Sequence, residues 1–337
     1  MIKLYKILFL NTMIMGTLIT ISSYSWFSMW MGLEINLLSF IPLLSSTKNM
    51  YASEASLKYF ITQAMASLIL LLSVILMLMS SEFITPMVNL SFQTMLNSAL
   101  MMKLGAAPFH FWFPEVMEGL NWMNCSILLT WQKIAPFILI MNSKSSSMFM
   151  FTVILTSLIV STILSFNQVS LRKIMTFSSI NHIAWMLAAS MSNNSVWLVY
   201  FVIYVIITVN LTFMFNQSKL FFLSQMPMFM NSNKNIKLSL MINFLSLGGL
   251  PPFLGFLSKW FVINSMILDN MTLLSLALIM LTLIMLFIYV RMLMTAIIFS
   301  YSEPKLIQTK FNQTTSFTIN FLTVFSLISC TIMFNFF

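Results

Sequence analysis

The sequence predicts an all-α polytopic membrane protein of about eleven transmembrane helices, and three observations predict it. Of 337 residues, 59% are hydrophobic and only 7% are charged, against roughly a quarter charged in soluble domains. Such a chain has too little polar surface to cover itself in water. Its apolar residues gather into runs near the about 20 residues that a helix needs to cross a hydrocarbon core. The basic residues, finally, sort to one side once those runs are threaded back and forth.

Reading apolar runs between polar breaks gives helices over roughly 7–23, 26–46, 57–80, 95–113, 122–142, 148–165, 174–191, 194–216, 238–263, 271–297 and 316–336. Connections are short, apart from polar stretches around 217–237 and 301–315. No soluble domain interrupts the series, so residues 1–337 read as a single transmembrane domain.

With an odd number of spans the termini face opposite sides. Lys3, Lys6, Lys48, Lys58, Arg172, Lys173, Lys219, Lys234, Lys237, Lys305, Lys310 and Arg291 then fall on the N-terminal side, and Lys144 alone on the other. Basic loops stay on the side of synthesis. The net charge of +9 is therefore a topological signature scattered over several loops, and no nucleic-acid partner is expected.

There are 33 Met and 33 Phe, but only two Arg and one Asp. Bilayer physics does not ask for that much Met, although Met packs adaptably at helix interfaces. The bias fits translation from an AT-rich mitochondrial genome. The N-terminus runs into an apolar span without a cleavable or Arg-rich leader, as expected of a protein made inside its own organelle. The expected location is the mitochondrial inner membrane, N-terminus in the matrix and C-terminus in the intermembrane space. Cys125 and Cys330 are too few for an iron–sulfur cluster, which needs four ligands, and no metal site is expected.

Removing loop charges leaves Glu34, Lys103, Lys133 and Lys259 inside apolar runs. A charge at the bilayer centre costs at least about 2.5–3.5 kcal/mol on insertion scales. A lone lysine would read as a snorkelling or structurally paired side chain. Three lysines and one carboxylate, three of the four near Gly or Pro, point instead to ion movement. A lysine held between desolvation, which disfavours its charge, and a carboxylate, which favours it, gains or loses a proton when a neighbouring charge moves. His110 and His182 also fall in spans; an interior hydrogen-bonded histidine and a proton relay are both open readings. Glu115 and Glu118 follow Phe-Pro at a helix exit and read as solvated.

Two spans carry Gly/Pro interruptions, Gly105–Pro108 in the fourth and Gly248–Pro252 in the ninth. Proline lacks the amide donor and clashes with the preceding turn. Freed backbone groups at membrane depth survive only in protein or along wet cavities. Each break falls in the fourth helix of a set of five, giving repeats over about 7–142 and 148–297 and a C-terminal helix over about 316–336. Five being odd, the second set would be inverted, the arrangement that places ion paths in transporters.

The segments MGLEINLL (31–38), KLGAAPFHFWFPE (103–115), TWQKIAP (130–136), LRKIMTFSSINH (171–182) and GGLPPFLGFLSKW (248–260) resemble, in family order, the chain 2 family of mitochondrial NADH–ubiquinone oxidoreductase, respiratory complex I. These are antiporter-like membrane-arm subunits, related to subunits of sodium/proton antiporters. The resemblance implies that Glu34 and Lys103 form the charged pair of a first half-channel. Lys133 would join the two halves, Lys259 would end the second, and His110 and His182 would lie on the hydrated axis between them. It implies partners among the other membrane-arm subunits. It also implies no cofactor on this chain, with NADH, FMN, iron–sulfur clusters and ubiquinone handled elsewhere in the complex. Ser258 stands where many relatives have Pro. A structural scaffold and a stand-alone cation/proton antiporter are the competing readings.

Overall fold

The computed structural model describes residues 4–46, 49–80, 86–143, 146–227, 230 and 234–298. The described residues are helical apart from short links: α1 (Leu4–Ser22), α2 (Trp26–Leu44), α3 (Met50–Ser80), α4 (Pro86–Leu104), α5 (Trp112–Gly119), α6 (Trp122–Leu129), α7 (Trp131–Asn142), α8 (Ser147–Ser165), α9 (Leu171–Ser192), α10 (Asn194–Ser218), α11 (Lys234–Gly248), α12 (Leu254–Leu268) and α13 (Thr272–Ile298). Among the described residues, seven spans are long and apolar enough to cross a membrane: α1, α2, α3, α6 with α7, α8, α10 and α13. With α9 and the interrupted pairs α4–α5 and α11–α12 they account for ten of the eleven expected. The expected helix over 316–336 lies outside the described residues, as do Lys3, Lys48, Lys144, Lys305, Lys310 and Cys330.

The chain divides into two compact units, Met1–Thr156 and Ser157–Phe337. In the first, α1 and α2 meet backbone to backbone. A Cβ at Gly16 would lie 3.0 Å from the Gly32 carbonyl oxygen, and one at Gly32 2.9 Å from that of Gly16. Small residues at such crossings let helices approach where lipid offers no hydrophobic drive. In the second unit, α9 is buried without interruption from Ile174 to Ala189. A helix covered on every side can carry Ser178, Ser179, Asn181 and His182 without showing them to lipid. Those polar residues are also why α9 is absent from the seven long apolar spans.

Three boundaries differ from the sequence reading. Helix α3 starts at Met50, seven residues before the expected 57, because Glu54 and Lys58 form an (i, i+4) ion pair at 3.0 Å and extend it through a polar turn. Helix α4 starts at Pro86 rather than 95, and proline suits a first turn, where its missing amide would be unpaired anyway. The fifth span, expected continuous over 122–142, kinks at Thr130, with φ −115° and ψ −69°. Pro136 removes the donor for the Gln132 carbonyl. Around the kink the Lys133 amide bonds Thr130 three residues back, and the Thr130 hydroxyl bonds the Ser126 carbonyl at 2.6 Å.

Both expected breaks are present, and they share one local geometry. At the first, the Gly105 amide bonds the Met101 and Met102 carbonyls, Ala106 reaches back to Met101, and Phe109 bonds Ala106. At the second, Gly249 bonds Leu245 and Ser246, Leu250 reaches back to Leu245, and Phe253 bonds Leu250. Gly105 and Gly249 have φ of +74° and +79°. These are left-handed helix stops in which a glycine admits the conformation, and its own amide and the next one satisfy orphan carbonyls. Each stop lies seven residues or fewer from where a helix resumes, so each span is broken rather than ended.

Candidate functional site

In the first unit, helix ends and kinks deliver two of the lysines to one place. Lys103 sits one residue before the end of α4, 8% exposed; Lys133 sits in the first turn of α7 after the kink, 2% exposed. Both line one cavity, together with Asn36, Gln63, Gln132 and Tyr59. It is large enough to hold water. Phe113 also lines it, and the Lys133 ammonium lies 6.0 Å from that ring's centroid. Gln63 donates to the Lys103 backbone carbonyl at 3.5 Å.

Glu34 lies on α2 between Leu33 and Asn36, both of which line the cavity. Glu34 and Lys103 do not form an ion pair: the ion pairs among the described residues join Lys58 to Glu54 and to Glu115, each at 3.0 Å. Glu34 is half-buried, as its interior position requires.

Sequence reasoning assigned no role to the link between these helices. Asn36 and Gln132 exchange two amide hydrogen bonds of 3.0 Å each, and Gln132 also approaches the Met13 sulfur at 3.4 Å. The pair fastens the helix of Glu34 to the residue before Lys133. Asn36 stands two residues from Glu34 and Gln132 stands next to Lys133, each a lone amide in an apolar run, and that spacing was the available signal. Glu115 is likewise engaged, through Lys58, rather than simply solvated. It ties α5 to α3, where a Cβ at Gly119 would run into the Tyr51 backbone oxygen.

His110 falls in the turn between α4 and α5, 3% exposed and 4.4 Å from the Phe111 ring. It does not line the cavity of the two lysines. The Pro108 carbonyl faces it, yet neither ring nitrogen makes a well-aligned hydrogen bond.

In the second unit, Lys259 projects from α12, 7% exposed, and donates to the carbonyls of Gly248 at 2.8 Å and Leu247 at 3.3 Å. Its ammonium lies 5.7 Å from the Trp185 ring. Trp185 stacks on Tyr200 with centroids 6.5 Å apart, and Tyr200 hydrogen-bonds His182 at 2.8 Å. The Ser258 hydroxyl bonds the Gly255 carbonyl at 2.9 Å, and α12 runs on unbroken past it. Among the described residues no group of three or more His, Cys, Asp or Glu could hold a metal ion.

An arrangement of buried lysines at helix breaks, in an all-helical bundle, is one that membrane ion carriers use. Residues 23–286 match the family described as NADH:quinone oxidoreductase/Mrp antiporter, TM. The chain is 48% identical to the NADH-ubiquinone oxidoreductase chain 2 of Aedes aegypti, over 98% of each chain. It is 44% identical to that of Anopheles gambiae, over 97% of each. The chain belongs to the NADH-ubiquinone oxidoreductase chain 2 family. Its fold is also that of a chain in respiratory complex I from Thermus thermophilus, with a TM-score of 0.87 at 20% identity over 97% of this chain and 78% of that one. The Mrp complex from Dietzia contains a similar chain, with a TM-score of 0.74 at 14% identity over 90% and 62%.

Proposed function

We propose that this chain is a proton-translocating membrane-arm subunit of mitochondrial NADH–ubiquinone oxidoreductase. The observation that carries the reading is the cavity lined by both Lys103 and Lys133. Two buried ammonium groups sharing one water-sized space repel each other unless one gives up its proton. Movement of charge at Glu34, the carboxylate between cavity-lining Leu33 and Asn36, then shifts a proton between them. Lys259 stands beside the second break, bonded to the carbonyls that the break frees, and His182 continues the path in the same unit. The repeats over about 7–142 and 148–297 each supply one half-channel, and Lys133 is the central lysine of the path.

The chain binds no redox cofactor in this reading. NADH oxidation and quinone reduction belong to other subunits of the complex, and their energy arrives as a displacement of charge along the membrane arm. Neighbouring antiporter-like subunits and lipid are its partners. It resides in the mitochondrial inner membrane, N-terminus in the matrix and C-terminus in the intermembrane space. Impermeant amine labelling checks the orientation: Lys237 reacts from the matrix side and Lys144 from the other.

One observation favours a scaffold role instead, since Lys259 caps helix carbonyls as a structural lysine would. Lys133 separates the readings. Lys133→Met matches the lysine stem and buries no charge, so the complex should assemble while NADH–quinone turnover and proton pumping per assembled complex fall at least tenfold. Lys133→Arg should fail as well, because a guanidinium does not release its proton. Normal coupled pumping in both variants overturns the carrier role. Tolerance of Arg with loss of assembly in Met supports the scaffold.

A further inference from the structure

The relay described above leaves unused a buried hydroxyl that touches one of its members. Tyr200, 1% exposed on α10, holds Oη 2.8 Å from Nδ1 of His182, which is 5% exposed on α9. The tyrosine ring has little freedom to turn away. It lies nearly parallel to Trp185, with an interplanar angle of 10°, and Trp185 in turn faces the Lys259 ammonium. One helical turn along α10, Tyr204 packs on the same imidazole with ring centroids 5.1 Å apart.

An imidazole that relays protons must present a defined nitrogen to its donors and acceptors, and the partner of the other nitrogen decides which. We infer that Tyr200 is a positioning residue for His182, its hydroxyl accepting from Nδ1–H so that Nε2 is the nitrogen that takes up and releases the proton. The inference rests on the proton-translocating reading of this chain. The step balances without ionising the tyrosine. A proton arriving at Nε2 gives imidazolium, Nδ1–H stays bonded to the phenol oxygen, and the same Nε2 proton departs to restore neutral imidazole.

The test uses the assembled complex, with pumping and turnover normalised to its amount. Tyr200→Phe keeps the ring packing and deletes only the hydroxyl, so pumping should fall about tenfold, less than the roughly 10²–10⁴-fold expected of a group that itself transfers the proton. Tyr200→Gln, which returns an acceptor in place of the hydroxyl, should recover at least part of that loss. In the background of His182→Phe, Tyr200→Phe should cause no further loss, because its effect passes through the imidazole. Wild-type pumping in Tyr200→Phe, or losses that multiply in the double variant, overturns the inference. If His182→Phe lowers pumping while Tyr200→Phe does not, this inference alone fails. If His182→Phe and Lys133→Met both pump normally, it is the underlying functional reading that falls, and this one with it.

Discussion

Lys259 and Gly248 are bonded across the break in the ninth span, the ammonium of one half-helix 2.8 Å from the terminal carbonyl of the other. A cation at a helix C-terminus meets the negative end of the peptide dipoles. Here it also meets carbonyls that the break has released. The lysine therefore reads the geometry of the break, and the break reads the charge on the lysine.

Gly249 makes that coupling testable. Its φ is +79°, and a Cβ there would lie 2.8 Å from Lys259 Cδ and 2.9 Å from Nζ. Gly249→Ala should thus combine about 1–2 kcal/mol of backbone strain with displacement of the ammonium. Gly105→Ala carries similar strain at φ +74°, but its Cβ meets Phe113 and Trp112 at 3.2–3.3 Å rather than a lysine. Assembled Gly249→Ala complex should pump several-fold more slowly than assembled Gly105→Ala complex. Equal rates would separate the lysine from the turn.

The Asn36–Gln132 pair should show strong non-additivity. Replacing Asn36 by Leu strands the half-buried amide of Gln132, at about 1 kcal/mol, the low end of the cost for a stranded polar group. Asn36→Leu together with Gln132→Leu removes both partners and should destabilise less than the two single changes added. Thermal inactivation of the assembled complex measures this. Strict additivity would mean that the two amides do not hold the helices together.

At the rim where α5 meets α3, charge and shape should have unequal weight. Lys58, Glu54 and Glu115 are exposed by 43%, 61% and 59% of their side chains, and exposed ion pairs contribute little. Glu115→Gln should leave assembly and turnover close to normal. Gly119→Ala should reduce assembly severely, since its Cβ would meet the Tyr51 backbone oxygen and Ala55. A larger loss from Glu115→Gln would assign the charge a role beyond attachment.

Much of this fold was legible because its signals are local. Gly105 and Gly249 are glycines beside proline in apolar runs, and the stops they build need nothing distant. Lys103, Lys133 and Lys259 were legible for the opposite reason, being the residues that an apolar span should reject. The start of α3 was hidden because Glu54 and Lys58 look like loop residues until their pairing is known. The kink at Thr130 was hidden because Pro136, its cause, sits six residues later inside an apolar run. Tyr200 carried no signal at all. An aromatic residue in an apolar span reads as packing, and only the approach of α10 to α9 gives its hydroxyl an imidazole to hold.

The all-round burial of α9 has a consequence for how the chain is made. An insertion machinery that samples segments one at a time, by partition into lipid, meets in α9 a poor candidate, with two serines, an asparagine and a histidine in five residues, Ser178–His182. The following helix, α10, is strongly apolar and is joined to it through Asn193 alone. The two therefore enter as one hairpin, with α10 supplying the partition energy that α9 lacks. Substitutions that weaken the apolar length of α10 should then appear as newly synthesised chain lost before any complex forms, a biogenesis defect that kinetics on surviving complex would never register.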